Sequence, residues 1–213
     1  MMIKKPRPLT NSWLVMKEKI KRGVRITRYI AYKETLINFK EHFWAFTGSF
    51  IGIGLIAFIH NGLFGINDQL FLIGSFGASS VLIYGTIQSP FAQPRNLVGG
   101  HLVSAVIGVT INYCIPDIIW IAAPLAVSLS IVGMQITKTL HPPGGATALI
   151  AVIGSEKIKA LGFLYILSPV LSGCLILLVV ALIFNNITAN RQYPTNKKYT
   201  RIFRRILNAS KKN

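Results

Sequence analysis

Acid is what this sequence has least of. Six Asp and Glu stand against 23 Lys and Arg in 213 residues, a formal net charge of +17, and only 14% of the chain is charged while 52% is hydrophobic. A soluble domain rarely shows that balance, so the class is integral membrane protein. None of the six carboxylates lies inside a long apolar run. That leaves no internal carboxylate to hold Na⁺, relay protons as in many pumps, or supply paired acid and base chemistry; cation transport and a membrane-embedded hydrolase both lose weight. No P-loop signature occurs, so ATP coupling within this sequence is not expected. Cysteine is scarce too. Cys114 and Cys174 show no metal or redox spacing, and both are expected to be free thiols packing as small apolar groups. No cofactor or metal is implied, and a cleavable signal peptide is not expected, since residues 1–42 are basic and lack a continuous apolar core.

The charges that are present punctuate the chain. Runs free of Asp, Glu, Lys and Arg cover 42–67, 69–94, 96–116, 118–137, 139–155 and 160–190, with lengths of 26, 26, 21, 20, 17 and 31. A spanning helix needs about 20 apolar residues, so five runs are long enough and the fifth in order is marginal. The expected fold is all-α, a polytopic membrane bundle of six membrane elements. Residues 1–42 hold eleven of the basic residues and residues 191–213 hold eight. The positive-inside rule then places both termini in the cytoplasm of a multi-pass inner-membrane protein, which needs an even number of crossings; four would also satisfy it.

Both basic ends carry apolar residues at helical steps, Trp13, Met16, Ile20 and Val24 in the first and Tyr199, Ile202, Phe203, Ile206 and Leu207 in the last. They read as amphipathic segments on anionic lipid rather than as nucleic-acid arms. The domains expected are a basic arm at 1–42, a transmembrane domain at 43–186 and a basic tail at 187–213. Within the bundle, Gly48, Gly52 and Gly54, then Gly100, Ser104 and Gly108, then Ala122, Ala126 and Ser130 form small-residue faces that let helices approach closely. Such faces, and the small size, make a homo-oligomer reasonable.

One stretch cannot be an ordinary span: His141-Pro142-Pro143-Gly144-Gly145-Ala146-Thr147-Ala148. Pro142 and Pro143 fix φ and lack an N–H, so they suit the first turn of a helix and mark a structural break. A helix from Pro143 to Gly154 would be about 18 Å long, well short of a crossing. The N–H groups of Gly144, Gly145, Ala146 and Thr147 are expected to point along its axis without intrahelical partners, at the positive end of the dipole, as an anion site. A shift of 68 lays Ile73–Ser80 over this stretch, with Gly77-Ala78-Ser79 on Gly145-Ala146-Thr147 and Ser104 on Ser172. Each half, about 43–113 and 118–186, then has three elements, and an odd number makes the second an inverted copy of the first.

The stretches Gly74-Ser75-Phe76-Gly77-Ala78-Ser79, Ser89-Pro90-Phe91-Ala92-Gln93-Pro94-Arg95-Asn96, Gly99-Gly100-His101 and His141–Thr147 together resemble the HPP family of integral membrane proteins, over roughly Phe43 to Phe184. The resemblance implies a small helical membrane protein, usually described with four spans, whose plastid and cyanobacterial members are associated with nitrite transport. It implies transport of a small inorganic anion, nitrite favoured, and not enzymatic activity. A membrane-embedded enzyme using His101 and His141, and a non-transporting scaffold, stand as alternatives.

The residues expected at a substrate are His141, Gly144, Gly145, Ala146 and Thr147 from the second half and Ser75, Gly77, Ser79 and His101 from the first, with Ser80 a further donor. For His141, donation to an anion and capping of backbone opened by the prolines stand side by side. For Arg95, collecting anions and anchoring or locking the inner end of its helix stand likewise. For His101 the default is a buried imidazole bonded to a carbonyl. Lys138 reads as an interfacial anchor.

Overall fold

The computed structural model describes residues 10–34, 39–64, 73–116, 118–188 and 191–196, and among these only helices, turns and loops occur. Residues 1–39 and 40–213 form two separate units. In the first, α1 (Thr10–Glu34) is one continuous helix. Its apolar residues Trp13, Met16, Ile20 and Val24 are all exposed, and Lys17 lies over the Trp13 ring at 3.8 Å. The apolar stripe expected in the tail at 199–207 lies outside the described residues.

The second unit holds α2 (Phe39–Phe64), α3 (Gly74–Ser80), α4 (Pro94–Cys114), α5 (Ile119–Ile136), α6 (Pro142–Ile153), the short α7 (Glu156–Ala160) and α8 (Ser172–Phe184). Among the described residues four stretches are long and apolar enough to cross a membrane: Phe39–Ile59, Pro94–Cys114, Ile119–Ile136 and Ile166–Phe184. Two of the six apolar runs therefore hold no span of that length. The run 139–155 contains only α6, twelve residues long. The run 69–94 was long enough for a crossing, yet it spends its length on α3, five residues of wider π-helix (Val81–Gly85), and a turn with a short 3₁₀ segment at Pro90–Ala92.

Small residues decide the packing. A Cβ built on Gly108 would lie 2.5 Å from the carbonyl oxygen of Ala148, and one on Gly100 would lie 2.5 Å from Cβ of His141. The Gly100–Ser104–Gly108 face of α4 is thus where α6 lies, and the matched order of contacts makes the two helices parallel. Ala122 and Ala126 of α5 bury against the same face of α6 through Ala148 and Val152. Gly48 and Gly52 of α2 carry the ring of Tyr84, whose hydroxyl donates to the Leu177 carbonyl at 3.1 Å. Gly54 was expected on that face but points away, with nothing within 4 Å of a built Cβ. Cys174 is buried as expected, whereas Cys114, at the last residue of α4, is exposed.

One end of the bundle is closed by polar locks. α5 ends in a Schellman motif, with Thr139 N–H donating to the Met134 carbonyl (2.8 Å), Lys138 N–H to that of Gln135 (3.1 Å), and Lys138 itself at φ 56°. Arg95 Nη2 donates to the Thr137 carbonyl at 2.9 Å, a cation on the negative end of α5, and Asn96 Nδ2 to Leu140 at 2.7 Å. Arg191 departs from the expected surface tail: it is 2% exposed, with Glu41 Oε2 and Asn185 Oδ1 each at 2.7 Å and the Tyr84 carbonyl at 2.8 Å. A buried guanidinium needs partners of this quality, and removing them leaves an uncompensated charge.

The close approach at Gly108 is backbone against backbone, which cannot yield as a side chain can. Gly108→Ala is expected to force α4 and α6 apart at a cost of about 1–3 kcal/mol. Thermal melting in detergent checks it: a drop of several degrees for this variant and no measurable change for Gly54→Ala.

Candidate functional site

The site is built where α3, α4 and α6 meet. α3 runs antiparallel to α6, so Ser75 and Ser79, one turn apart on α3, face Thr147 and His141 respectively. His101 of α4 stands between them. Its Nε2 lies 2.7 Å from Ser79 Oγ and its Nδ1 lies 2.6 Å from Thr147 Oγ1. Ser79 Oγ is also 2.9 Å from His141 Nε2, and Thr147 Oγ1 is 2.9 Å from Ser75 Oγ. All five side chains are buried, and the two imidazole centroids are 4.9 Å apart. The edge-on ring of Phe76, its centroid 5.7 Å from that of His101, closes one side.

The hydrogens in this cluster follow from one fixed group. His141 Nδ1 lies 2.8 Å from the Phe91 carbonyl, which can only accept, so Nδ1 carries a hydrogen. With the ring neutral, Nε2 is a lone pair, and Ser79 Oγ–H donates to it. Ser79 Oγ then accepts from His101 Nε2–H. His101 Nδ1 is in turn a lone pair that takes the Thr147 hydroxyl hydrogen, for which Ser75 Oγ at 2.9 Å is the alternative acceptor. The result is a single directed chain, Thr147 to His101 to Ser79 to His141 to Phe91, in which each hydrogen has one acceptor and both imidazoles are neutral. The Tyr165 hydroxyl donates to the Thr147 carbonyl at 3.1 Å and steadies the middle of the chain.

Three groups that hold this arrangement carry no sequence signal of their own. Tyr165 and Tyr193 sit outside the motifs. Phe91 acts through its carbonyl, which its side chain does not announce. Tyr193, also buried, donates its hydroxyl to the Ala92 carbonyl at 2.7 Å, next to the carbonyl that orients His141. Burial pushes the Tyr193 phenol up, so it stays a donor across the physiological range.

Three of the four N–H groups expected to form a backbone anion site, those of Gly144, Ala146 and Thr147, are spent within the helix. Pro142 and Pro143 have no N–H, and Gly144 N–H donates to the His141 carbonyl at 2.8 Å. From Ala146 onward the N–H groups take carbonyls four residues back, as in any helix. The prolines thus remove the very donors that a helix start leaves free. Of the residues expected at a substrate, Ser75, Ser79, His101, His141 and Thr147 come together. Gly144 instead packs on Ser104, whose oxygen would be 2.8 Å from a Cβ there, and Gly145 and Ala146 are half-buried beside the cluster. Gly77 is exposed with nothing within 4 Å of a built Cβ, Ser80 has no partner for its buried hydroxyl among the described residues, and Arg95 caps α5. His101 was expected to bond a carbonyl; it bonds two hydroxyls instead.

Comparison with known proteins agrees with this architecture. The family model described as "HPP, transmembrane region" matches residues 34–194, so the chain belongs to the HPP family of multi-pass membrane proteins. Two Dictyostelium discoideum proteins, each named only as a transmembrane protein, are 49% and 48% identical over 160 residues, 74% of this chain. The chain spans about half the length of these relatives, 51% of one and 56% of the other. No solved structure shows a significant match.

The directed chain predicts opposite tautomers for two histidines in one cluster. In ¹⁵N spectra of histidine-labelled protein at neutral pH, His141 is expected as the Nδ1–H form and His101 as the Nε2–H form. Equal tautomers for both rings would contradict the hydrogen assignment.

Proposed function

Starting from membership of the HPP family, we propose that this chain transports a small monovalent anion, nitrite first among candidates because the family resemblance points to it. The observation that carries the reading is the closed chain of imidazoles and hydroxyls buried where two short helices meet. Polar side chains at membrane depth are costly and mark pathways. Irregular backbone such as residues 139–141 survives there only when enclosed by protein or lining a cavity. Side-chain donors, not the helix N–H groups, are the ligands in this reading: the Ser79 and Thr147 hydroxyls and the two imidazoles.

Repeat symmetry supports the same point. α2, α3 and α4 run long, short, long, as do α5, α6 and α8. Under the shift of 68, Ser79 corresponds to Thr147, and these two hydroxyls take the two ring nitrogens of the same His101. Three elements per half make the halves inverted, the arrangement of many carriers in which a site at the repeat interface is reached from alternate sides. The end bearing Arg95, Lys138 and Arg191 faces the cytoplasm in this reading, with the basic termini on anionic lipid. The chain acts as a transporter and not as an enzyme.

The test is nitrite uptake into proteoliposomes, with nitrate, formate and chloride as comparisons. Thr147→Val keeps the shape but loses the hydroxyl and is expected to cut uptake at least ten-fold, while Thr147→Ser retains most of it. Unchanged uptake in Thr147→Val would remove the cluster from the pathway, and no uptake by the unaltered protein would leave the scaffold reading.

A further inference from the structure

The buried cluster has one more property: it has room for one additional proton at one place. Let His141 Nε2 gain a hydrogen. That hydrogen points at Ser79 Oγ, 2.9 Å away, and the Ser79 hydroxyl turns from His141 to the Ser75 carbonyl, 3.0 Å away. Ser79 Oγ still accepts from His101 Nε2–H, and His141 Nδ1–H still donates to Phe91. No polar group loses its partner; a single hydroxyl rotates.

For His101 a hydroxyl can turn as well, Thr147 donating to Ser75 Oγ at 2.9 Å, but both partners of that ring are hydroxyls. His141 Nδ1–H instead points at the Phe91 carbonyl, a pure acceptor whose negative end stabilises a cation. That carbonyl directs the charge to His141.

What the bundle lacks there is a counter-charge. From α4, the groups near His141 are His101 and Arg95; from the turn after α5, Lys138; from the Tyr165 and Tyr193 positions, phenols that bond carbonyls; α3 and the 86–93 loop present hydroxyls, carbonyls and the neutral Gln93 amide. The carboxylates among the described residues of this unit are Glu41, held by Arg191, and Glu156, 90% exposed at its side chain beside Lys159. An isolated imidazolium in an apolar interior is expensive. Beside a bound anion it is not, and linkage makes the benefit mutual: the anion favours the proton as much as the proton favours the anion.

We infer that His141 takes up one proton together with the carried anion, so that this chain is an electroneutral proton–anion symporter in which Ser79 is the switching hydroxyl. This rests on the transport reading above. One proton moves with one anion, the imidazolium returns to neutral imidazole when the pair leaves, and nothing is oxidised or reduced.

The experiment uses the full chain in proteoliposomes with nitrite as probe, initial rates being read over protein-free vesicles to subtract leakage of the undissociated acid. At zero voltage, an acid-outside step of one pH unit is expected to drive protein-dependent uptake, with external alkalinisation of one proton per nitrite; the accumulation limit is about ten-fold per pH unit. A K⁺ diffusion potential at equal pH is expected to drive none. A second readout is the ¹⁵N spectrum, where His141 becomes imidazolium on adding nitrite at mildly acidic pH and His101 does not. Voltage-driven uptake without proton movement, or an imidazolium on His101, would overturn the symport while leaving transport standing. No uptake under either gradient would overturn transport itself.

Discussion

Everything polar in the middle of this molecule hangs on one carbonyl. The Phe91 oxygen can only accept, and by accepting from His141 Nδ1 it sets the hydrogen on that ring, then the Ser79 hydroxyl, then the tautomer of His101, then Thr147. In water each of these groups could turn to a solvent molecule instead. Inside an apolar bundle an unmade hydrogen bond costs about 1–3 kcal/mol, so the chain is all satisfied or it is strained at every link. The carbonyl's own position therefore sets the orientation of the whole chain. It is held by the turn 86–93, where Gln93 Nε2 donates to the carbonyls of Ile87 and Ser89 at 3.1 and 2.9 Å.

Much of this frame is visible in the residues. Four of the six charge-free runs cover most of the stretches long enough to cross a membrane among the described residues, and the two successive prolines mark the start of the short helix because proline suits a first turn. The small-residue steps on α4 and α5 name the faces that close on α6. The weak repeat at a shift of 68 places Ser79 over Thr147, and these two hydroxyls flank one imidazole. Periodicity could not say that the run 69–94 would fold as a short helix and a turn rather than a crossing, since its length and hydropathy suit either. Nor could it say that Gly54 and Gly77 point away from their neighbours, which depends on rotation about a helix axis by a fraction of a turn.

The miss at the start of α6 is instructive about prolines. A helix begins with four unpaired N–H groups, and it is tempting to count them as ligand donors. Here two of the four positions are proline, and the third, Gly144, spends its N–H on the His141 carbonyl. The glycine is there for proximity instead: a side chain at Gly144 would strike Ser104 and the Gly100 carbonyl. The HPP triplet thus strips the helix start of two N–H groups and places an imidazole beside it. An imidazole can change its charge, which a backbone amide cannot.

The last constraint comes from beyond the final helix. A tail read by composition as lipid-facing returns to the bundle at Arg191 and Tyr193, and both are buried. Arg191 ties the start of α2 through Glu41 to the Tyr84 carbonyl at the end of the π-helical turn and to Asn185 after α8. Tyr193 bonds the Ala92 carbonyl, and Thr195 N–H donates to Gln93 Oε1 at 2.9 Å. Each peptide group is a rigid plane, and the planes that carry the Phe91 and Ala92 carbonyls are hinged at the Ala92 Cα inside the 3₁₀ segment Pro90–Ala92. A tail that fixes the Ala92 carbonyl therefore restricts the Phe91 carbonyl through that segment, and with it the orientation of His141. Arg191, which composition groups with a surface anchor, is with Tyr193 and Thr195 the outer support of the buried chain.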